Sequence, residues 1–595
     1  MKTKIKYMLL LPLLAFMFSS CENDLLNLSN PSALTSDSYW KTKDDFNKAL
    51  NSMYGALQLP AIAGSSIIND MQRSDEAGTE TWYNTEFAQL NWSDANQYVI
   101  DRWSHAYIGI FRANQILNYI DKTTIFTEDE ANLIKAQAKF LRAFEYFILS
   151  YTYGGAVIHD VMPQSTDDMQ KPFENKDVVV AKMIIPDLEY AMSILPKKWA
   201  NSSDLGRFTW GAANTLLGKT YLYQKDWTNA QKYLGYVIKE AEDNNLYSLV
   251  PNYMDNFTVD HEFNSESVLE VAFSDNFKPG TSGNNHDEKT SSEATSIASA
   301  FASITGAGGY NTVLPSYWIQ ELFVSADTVD RSNPINTGFK YSQRTFATIA
   351  VERGDGDYYK APLVAYVDAS GKTITSKANF SYGQGSKVKK WTSWDRKESE
   401  DASTNCRSGI NFRVIRYADV LLMYAEACLE LNDVNTAIKY IDKVRSRAGV
   451  VTLQSFIDNT GSFPRLDKSK FANALASYEN VAPTKENVLT HLRMVERPLE
   501  LAFEGQRWYD LVRWGIIQNT FTERLAEENN IRTILGVAAG TEAIPSTQPK
   551  IYPLYLNQRV RPDFGKKLTN YNSARDYLPV PSVEVQTNKL LNSNN

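Results

Sequence analysis

At 595 residues the chain exceeds one ordinary hydrophobic core, so length alone predicts roughly two lobes. A formal net charge of -8 excludes the basic face that nucleic-acid binding requires, and no nucleic-acid partner is expected. Only three cysteines occur, Cys21, Cys406 and Cys428, which excludes a disulfide framework, and the 33 tyrosines, 27 phenylalanines and 12 tryptophans exceed what a helical repeat core needs.

In chain order, Lys2, Lys4 and Lys6 precede an apolar run over 7–18 that is too short to span a bilayer and has the charge order of a secretory signal. Phe18-Ser19-Ser20-Cys21 then looks like a lipobox. This predicts a signal peptide over 1–20 and a lipidated Cys21. Several acyl chains there would anchor the protein without a membrane-spanning helix. Residues 25–36 are polar and turn-rich, suited to a tether or strap. Thr42 to Asp45 reads as a capping box that opens a helix bearing Phe46, Leu50 and Tyr54.

Over 64–102 no long period is visible, but Trp82, Tyr83, Phe87, Trp92 and Tyr98 stand among polar residues. Helices are predicted over 105–120, 130–153 (ended by Gly154-Gly155), 178–195, 210–224 and 227–244. From 251 to about 411 the pattern breaks into strand-like runs, at 268–273 and 363–367, and a glycine-rich stretch that ends at Gly308-Gly309-Tyr310-Asn311. A helical hairpin comes next, over 416–447, with Ala425 and Ala437 twelve positions apart. That spacing lets two antiparallel helices of a tetratricopeptide repeat approach closely, and Gly218 and Ala230 repeat it earlier in the chain. Helices over 486–503 and 506–516 and an extended 577–581 complete the chain. The fold class is therefore mainly α: a tetratricopeptide-like helical-hairpin scaffold over 21–250 and 412–595, interrupted by a large, irregular, loop-rich insert with short strands over 251–411.

The search for catalysis finds no G-x-S-x-G, H-E-x-x-H or phosphate-cradling motif. The five histidines are scattered singly, and no metal site or cofactor is expected. A pair of glycosidase carboxylates has no linear signature, so a glycan-cleaving enzyme stays open as an alternative. Glu504, Arg507 and Asp510 lie at near-helical spacing and are expected to pair across turns. With Arg416 and Asp419 they read as an ion-pair network that fixes helix register.

Phe140-Leu141-Arg142-Ala143-Phe144-Glu145-Tyr146-Phe147, Gly206-Arg207-Phe208-Thr209, Arg416-Tyr417-Ala418-Asp419 with Tyr424-Ala425-Glu426-Ala427, Glu496-Arg497, Leu499 through Trp514 and Leu578-Pro579-Val580-Pro581 occur in an order that resembles the SusD-like (RagB/SusD) surface lipoproteins of Bacteroidetes. Glu22-Asn23-Asp24 after the cysteine resembles the acidic tether of their surface-exposed members. The resemblance implies a non-catalytic lipoprotein of the outer membrane, lipid-anchored and facing outward. Such a protein captures glycans and delivers them to a TonB-dependent SusC-like transporter, which its helices face. Peptide capture, as by some relatives, is the alternative ligand.

Sugar rings need rigid aromatic planes beside fixed polar partners. Two stretches offer them. The first is Asp75 with Trp82, Tyr83, Asn84 and Trp92; the second is Tyr310 at the end of the glycine-rich run. The resemblance implies that the two converge opposite the helices. Trp391 and Trp394 fit either a ligand or a packing role, and Tyr317 and Trp318 read as a packed helix start.

Overall fold

In the computed structural model, the residues described are 39–79, 85–274, 294–303, 306–378, 380, 385–400, 408–470, 477–547 and 559–591. Cys21 and Cys406 lie outside them, as do Trp82, Tyr83 and Asn84. Among the described residues no helix is long and apolar enough to cross a membrane.

The helices pack as hairpins. Thr42 caps the Lys43–Gly55 helix through the predicted box with Asp45, and Thr127 with Glu130 does the same for Glu128–Tyr153. That second helix ends on Gly154 at a φ of 78°, the left-handed conformation glycine adopts without a steric cost. Its hairpin partner starts earlier than the apolar period suggests, at Gln97, because the Asn96 side chain accepts from the Tyr98 amide and extends the helix back through 97–104.

Trp210–Tyr223 and Trp227–Asn244 form the repeat predicted around Gly218. Gly218 is required there: a Cβ would stand 2.7 Å from Leu234 Cγ of the facing helix. Tyr417–Glu430 and Val434–Arg447 form the second copy, with Ala425 and Ala437 fully buried at the crossing. The two hairpins are neighbours in space, since Trp227–Asn244 packs directly on Tyr417–Glu430. A Cβ at Gly235 would stand 3.3 Å from the Tyr424 ring. The residues between the two copies are thus looped out of a continuous repeat stack.

That excursion is closed at its base by an antiparallel ladder of Ser267–Val271 on Phe412–Arg416. The predicted strand near 268 is this one. The alternation over 363–367 yields only the short pairing of Tyr366–Val367 with Thr373–Ile374. Within the excursion a small second core gathers Ala302, Ala307, Tyr358, Tyr359, Leu363 and Trp394.

The helix predicted over 486–503 stops at Glu500 and carries a π-turn over Leu492–Glu496. Phe503 then takes a φ of 58°, a strained value for a residue with a Cβ. Two hydrogen bonds hold it: its amide donates to Glu76 at 3.1 Å and its carbonyl accepts from the Trp391 indole at 2.8 Å.

Candidate functional site

The charged motif residues are buried in one another's company. Arg416 is fully buried. It donates to Glu504 at 2.8 and 2.9 Å and to Glu500 at 3.1 Å, and reaches Glu266 at 2.5 Å. Arg447 bridges Glu266 and Glu500, and Lys390 meets Glu504 at 2.8 Å. Arg497 joins Asp419 to Asp510 at 2.8 Å each, and Arg513 joins Asp510 to Glu426. The expected pairing of Glu504, Arg507 and Asp510 with each other does not form, because each faces a different element. Glu504 turns to Arg416, Arg507 to Asp75, and Asp510 to Arg497 and Arg513.

Burial pushes the carboxyl of Glu266 up, but the guanidiniums of Arg447 and Arg416 more than reverse this and hold it at about 2. Asp510 obeys the same logic: burial raises it, Arg497 and Arg513 outweigh burial, and it settles at about 2. Groups locked in this way fix element positions and have no open coordination for a substrate. Among the described residues no cluster of histidine, cysteine or acidic side chains is arranged to hold a metal ion.

Asp75 belongs to this network. It is fully buried and receives Arg507 in a fork, Nε at 2.7 Å and Nη2 at 2.9 Å, with Arg524 at 3.7 Å. A group so engaged is not presented to a ligand; it holds its loop from beneath. The loop is fastened at further points. Lys567 donates to the carbonyls of Ser74 and Ala77, and Glu76 accepts from the Phe503 amide. Burial pushes the Glu76 carboxyl up to about 8.

The loop then joins the second stretch. Ala77–Gly78 pairs antiparallel with Leu314–Pro315. The Ser316 amide donates to the Glu76 carbonyl at 2.9 Å and its hydroxyl to the Asp75 carbonyl at 2.7 Å, while Gln72 donates to the Thr312 carbonyl at 2.7 Å. Gly78 sits against Asp563 and Arg561, with no room for a Cβ. The glycine-rich run is cinched in turn. The Tyr310 amide donates to Ser299 and the Asn311 amide to Ala302, and Gly309 lies so close to the Ala302 carbonyl that only glycine fits. Asn311, buried at a φ of 51°, accepts from Lys387 at 3.3 Å. Tyr310 itself is 37% exposed.

Trp92 is not at a surface. It is 2% exposed, stacked on Phe87 with centroids 5.3 Å apart, and covered by the guanidiniums of Arg575 and Arg73. Its sequence neighbours are polar, but Arg575 comes from the far end of the chain and seals it. Trp391 is fully buried against Phe257 and Phe412, and Trp394 packs under Lys389 at 4.0 Å, so both take the packing role. Tyr317 and Trp318 sit in the buried first turn of the Tyr317–Ser325 helix, as expected. Ser316, which knits the two loops together, and Lys567, which fastens the early one, carried no sequence signal, since their partners lie hundreds of residues away.

A stacked helical-hairpin scaffold whose looped-out segments are braced by buried charge is a protein built on tetratricopeptide-like repeats. The chain belongs to the SusD family: that family's model matches residues 265–595, and a second model, described as starch-binding associating with outer membrane, matches 24–222. Among relatives, SusD-like protein P25 of Formosa agariphila is 25% identical over 531 residues, covering 86% of this chain and 90% of that protein. A SusD-like protein of Bacteroides ovatus is 24% identical, over 86% and 83%. Among solved structures, a SusD superfamily protein from Bacteroides vulgatus superposes with a TM-score of 0.67 at 23% identity, over 93% of this chain and 98% of that one. A structure described as a laminarin binding SusD-like protein gives 0.62 at 22%, over 92% and 98%.

Proposed function

We propose that this protein captures oligosaccharides at the cell surface, anchored in the outer membrane through a lipid on Cys21, and delivers them to a TonB-dependent SusC-like transporter without chemistry of its own. The ligand site is the seam where the early loop meets the glycine-rich run. Tyr310 offers an aromatic plane, and Trp82, Tyr83 and Asn84 follow in sequence after Glu80 and Thr81, beyond the fastened segment that ends at Thr79. The observation that carries this reading is the hydrogen-bonded join of Ala77–Gly78 to Leu314–Pro315, which brings two loops separated by more than 200 residues to one place. Rigid placement matters because a glycan site gains affinity from aromatics whose positions are fixed before the ligand arrives.

Isothermal titration against a glycan panel that includes laminarin oligosaccharides tests it. The reading expects measurable affinity for at least one glycan, and weaker affinity in both Trp82→Ala and Tyr310→Ala. Unchanged affinity in both variants sinks the site. Peptides in place of sugars in the copurified material, identified by mass spectrometry, would replace the ligand class. Steady release of products from the bound oligosaccharide would overturn the non-catalytic reading.

A further inference from the structure

A cavity of about 370 Å³ opens in the excursion, between the segment after Tyr253–Phe257, the end of the Ser267–Val271 strand and residues 392–397. Its volume falls in the range of small-ligand pockets, roughly 300–1,000 Å³, and suits one or two sugar rings rather than a long chain. Two half-buried carboxyls, Glu262 and Asp395, line it, with Thr258 and Ser393 beside them and Phe273 and Ile410 as an apolar wall.

The lining is built, not incidental. The Asn411 amide donates to Glu262 Oε1 at 2.9 Å, which orients that carboxyl. Arg396 at the rim is held by Asp260 at 2.7 Å. The wall that carries Ser393 is braced through Glu400, which accepts from the Ser393 amide at 2.7 Å and donates its own amide to the Ala307 carbonyl at 2.9 Å. Ala307 opens the turn that carries Tyr310, so the cavity and the proposed seam share a rigid support. Burial pushes Glu262 up to about 7, so near neutral pH this carboxyl both donates and accepts, and burial raises Asp395 as well; either carboxyl accepts from a hydroxyl.

The lining has both signs of charge, Lys397 against Asp395, while Arg396 is paired with Asp260 at the rim, and so does not select an ion by net charge. What remains is the pairing of polar groups with an apolar wall, the chemistry that recognises a ring with hydroxyl edges and C–H faces. We propose that this cavity is a second binding site, which takes a terminal or branching neutral glycosyl unit with its hydroxyls on Glu262 and Asp395 and its ring face against Phe273 and Ile410. The proposal deepens the glycan reading above and rests on it for the ligand class.

The test is saturation-transfer NMR on the whole chain with glucose, galactose, mannose and N-acetylglucosamine as probes, beside titration of the oligosaccharide panel. At least one monosaccharide is expected to take up saturation. Its apparent Kd should rise at least tenfold in Asp395→Ala and in Glu262→Ala. Asp395→Asn, nearly isosteric, serves as the second variant if Asp395→Ala lowers the melting temperature, and the same tenfold rise is expected of it. Absence of saturation with all four sugars overturns the site, as does saturation that both carboxyl variants leave intact. Failure of the seam is separate: it reads as oligosaccharide affinity indifferent to Tyr310→Ala while the monosaccharide signal still answers to Asp395.

Discussion

The helical hairpins and the excursion between them use polar residues in opposite ways. In the hairpins and the segments that brace them, Arg416, Arg447 and Arg497 are buried, and they and the half-buried Arg513 are paired with carboxylates. In the excursion Glu262 and Asp395 line a cavity, and Tyr310 is partly open to solvent. Charge density is therefore a poor guide to function in this molecule. The most charged motifs are those whose groups hold one another, and in the proposed reading recognition falls to loops that the charges hold still.

The hardest test of that contrast is Arg416→Ala. It removes the cation that Glu266, Glu500 and Glu504 share and leaves three buried carboxylates to Arg447 and Lys390 alone, and breaking a buried ion pair costs roughly 3–5 kcal/mol. Urea denaturation should show that loss, with no variant-specific change in ligand affinity while the protein stays folded. Asp75→Ala, which frees Arg507 and Arg524, is expected to cost roughly 3 kcal/mol. Unlike Arg416→Ala it should also weaken glycan binding, because Asp75 holds the loop that leads to Trp82; titration at a temperature where the variant is folded separates the two effects.

Acid should unpick the same network. Glu266 and Asp510 are held at about 2, below their ordinary values of 4.5 and 3.8. The stability they contribute is complete above about pH 4.5 and drains as the pH falls toward 2. A denaturation midpoint that stays flat across that window would show that the pairs contribute nothing. Gly218→Val forces branches into Leu234, and overpacking of this kind costs roughly 1–3 kcal/mol, readable as a lower melting temperature. Tyr310→Ala stands at the other extreme: a stability change within roughly 0.5 kcal/mol, but an affinity loss of roughly 1–2 kcal/mol.

The scaffold was largely legible because its signals are local. Thr42 and Thr127 each cap a helix through a partner three residues on, and Trp227–Asn244 was bounded correctly by its own period. The twelve-residue spacings at Gly218 and Ala425 likewise report a contact within one hairpin. The start at Gln97 was missed because a cap, not an apolar stripe, sets it. The site was less legible. That the early loop and the glycine-rich run would meet came from the family resemblance, and the join itself depends on Ser316 and Gln72 acting at long range, with Lys567 fastening the early loop. Asp75 and Trp92 looked like ligand contacts because their sequence neighbours are polar. Arg507 and Arg575, more than 400 residues away, bury them.

Hydrogen exchange with and without the tightest-binding oligosaccharide of the panel tests the central claim most directly, that recognition lies in the braced loops and not in the charged hairpins. The account predicts that ligand slows exchange over 74–79 and 306–316 and leaves the amides of Trp227–Asn244 and Tyr417–Arg447 unchanged. Protection confined to those hairpin helices, with the two loops unaffected, would contradict it.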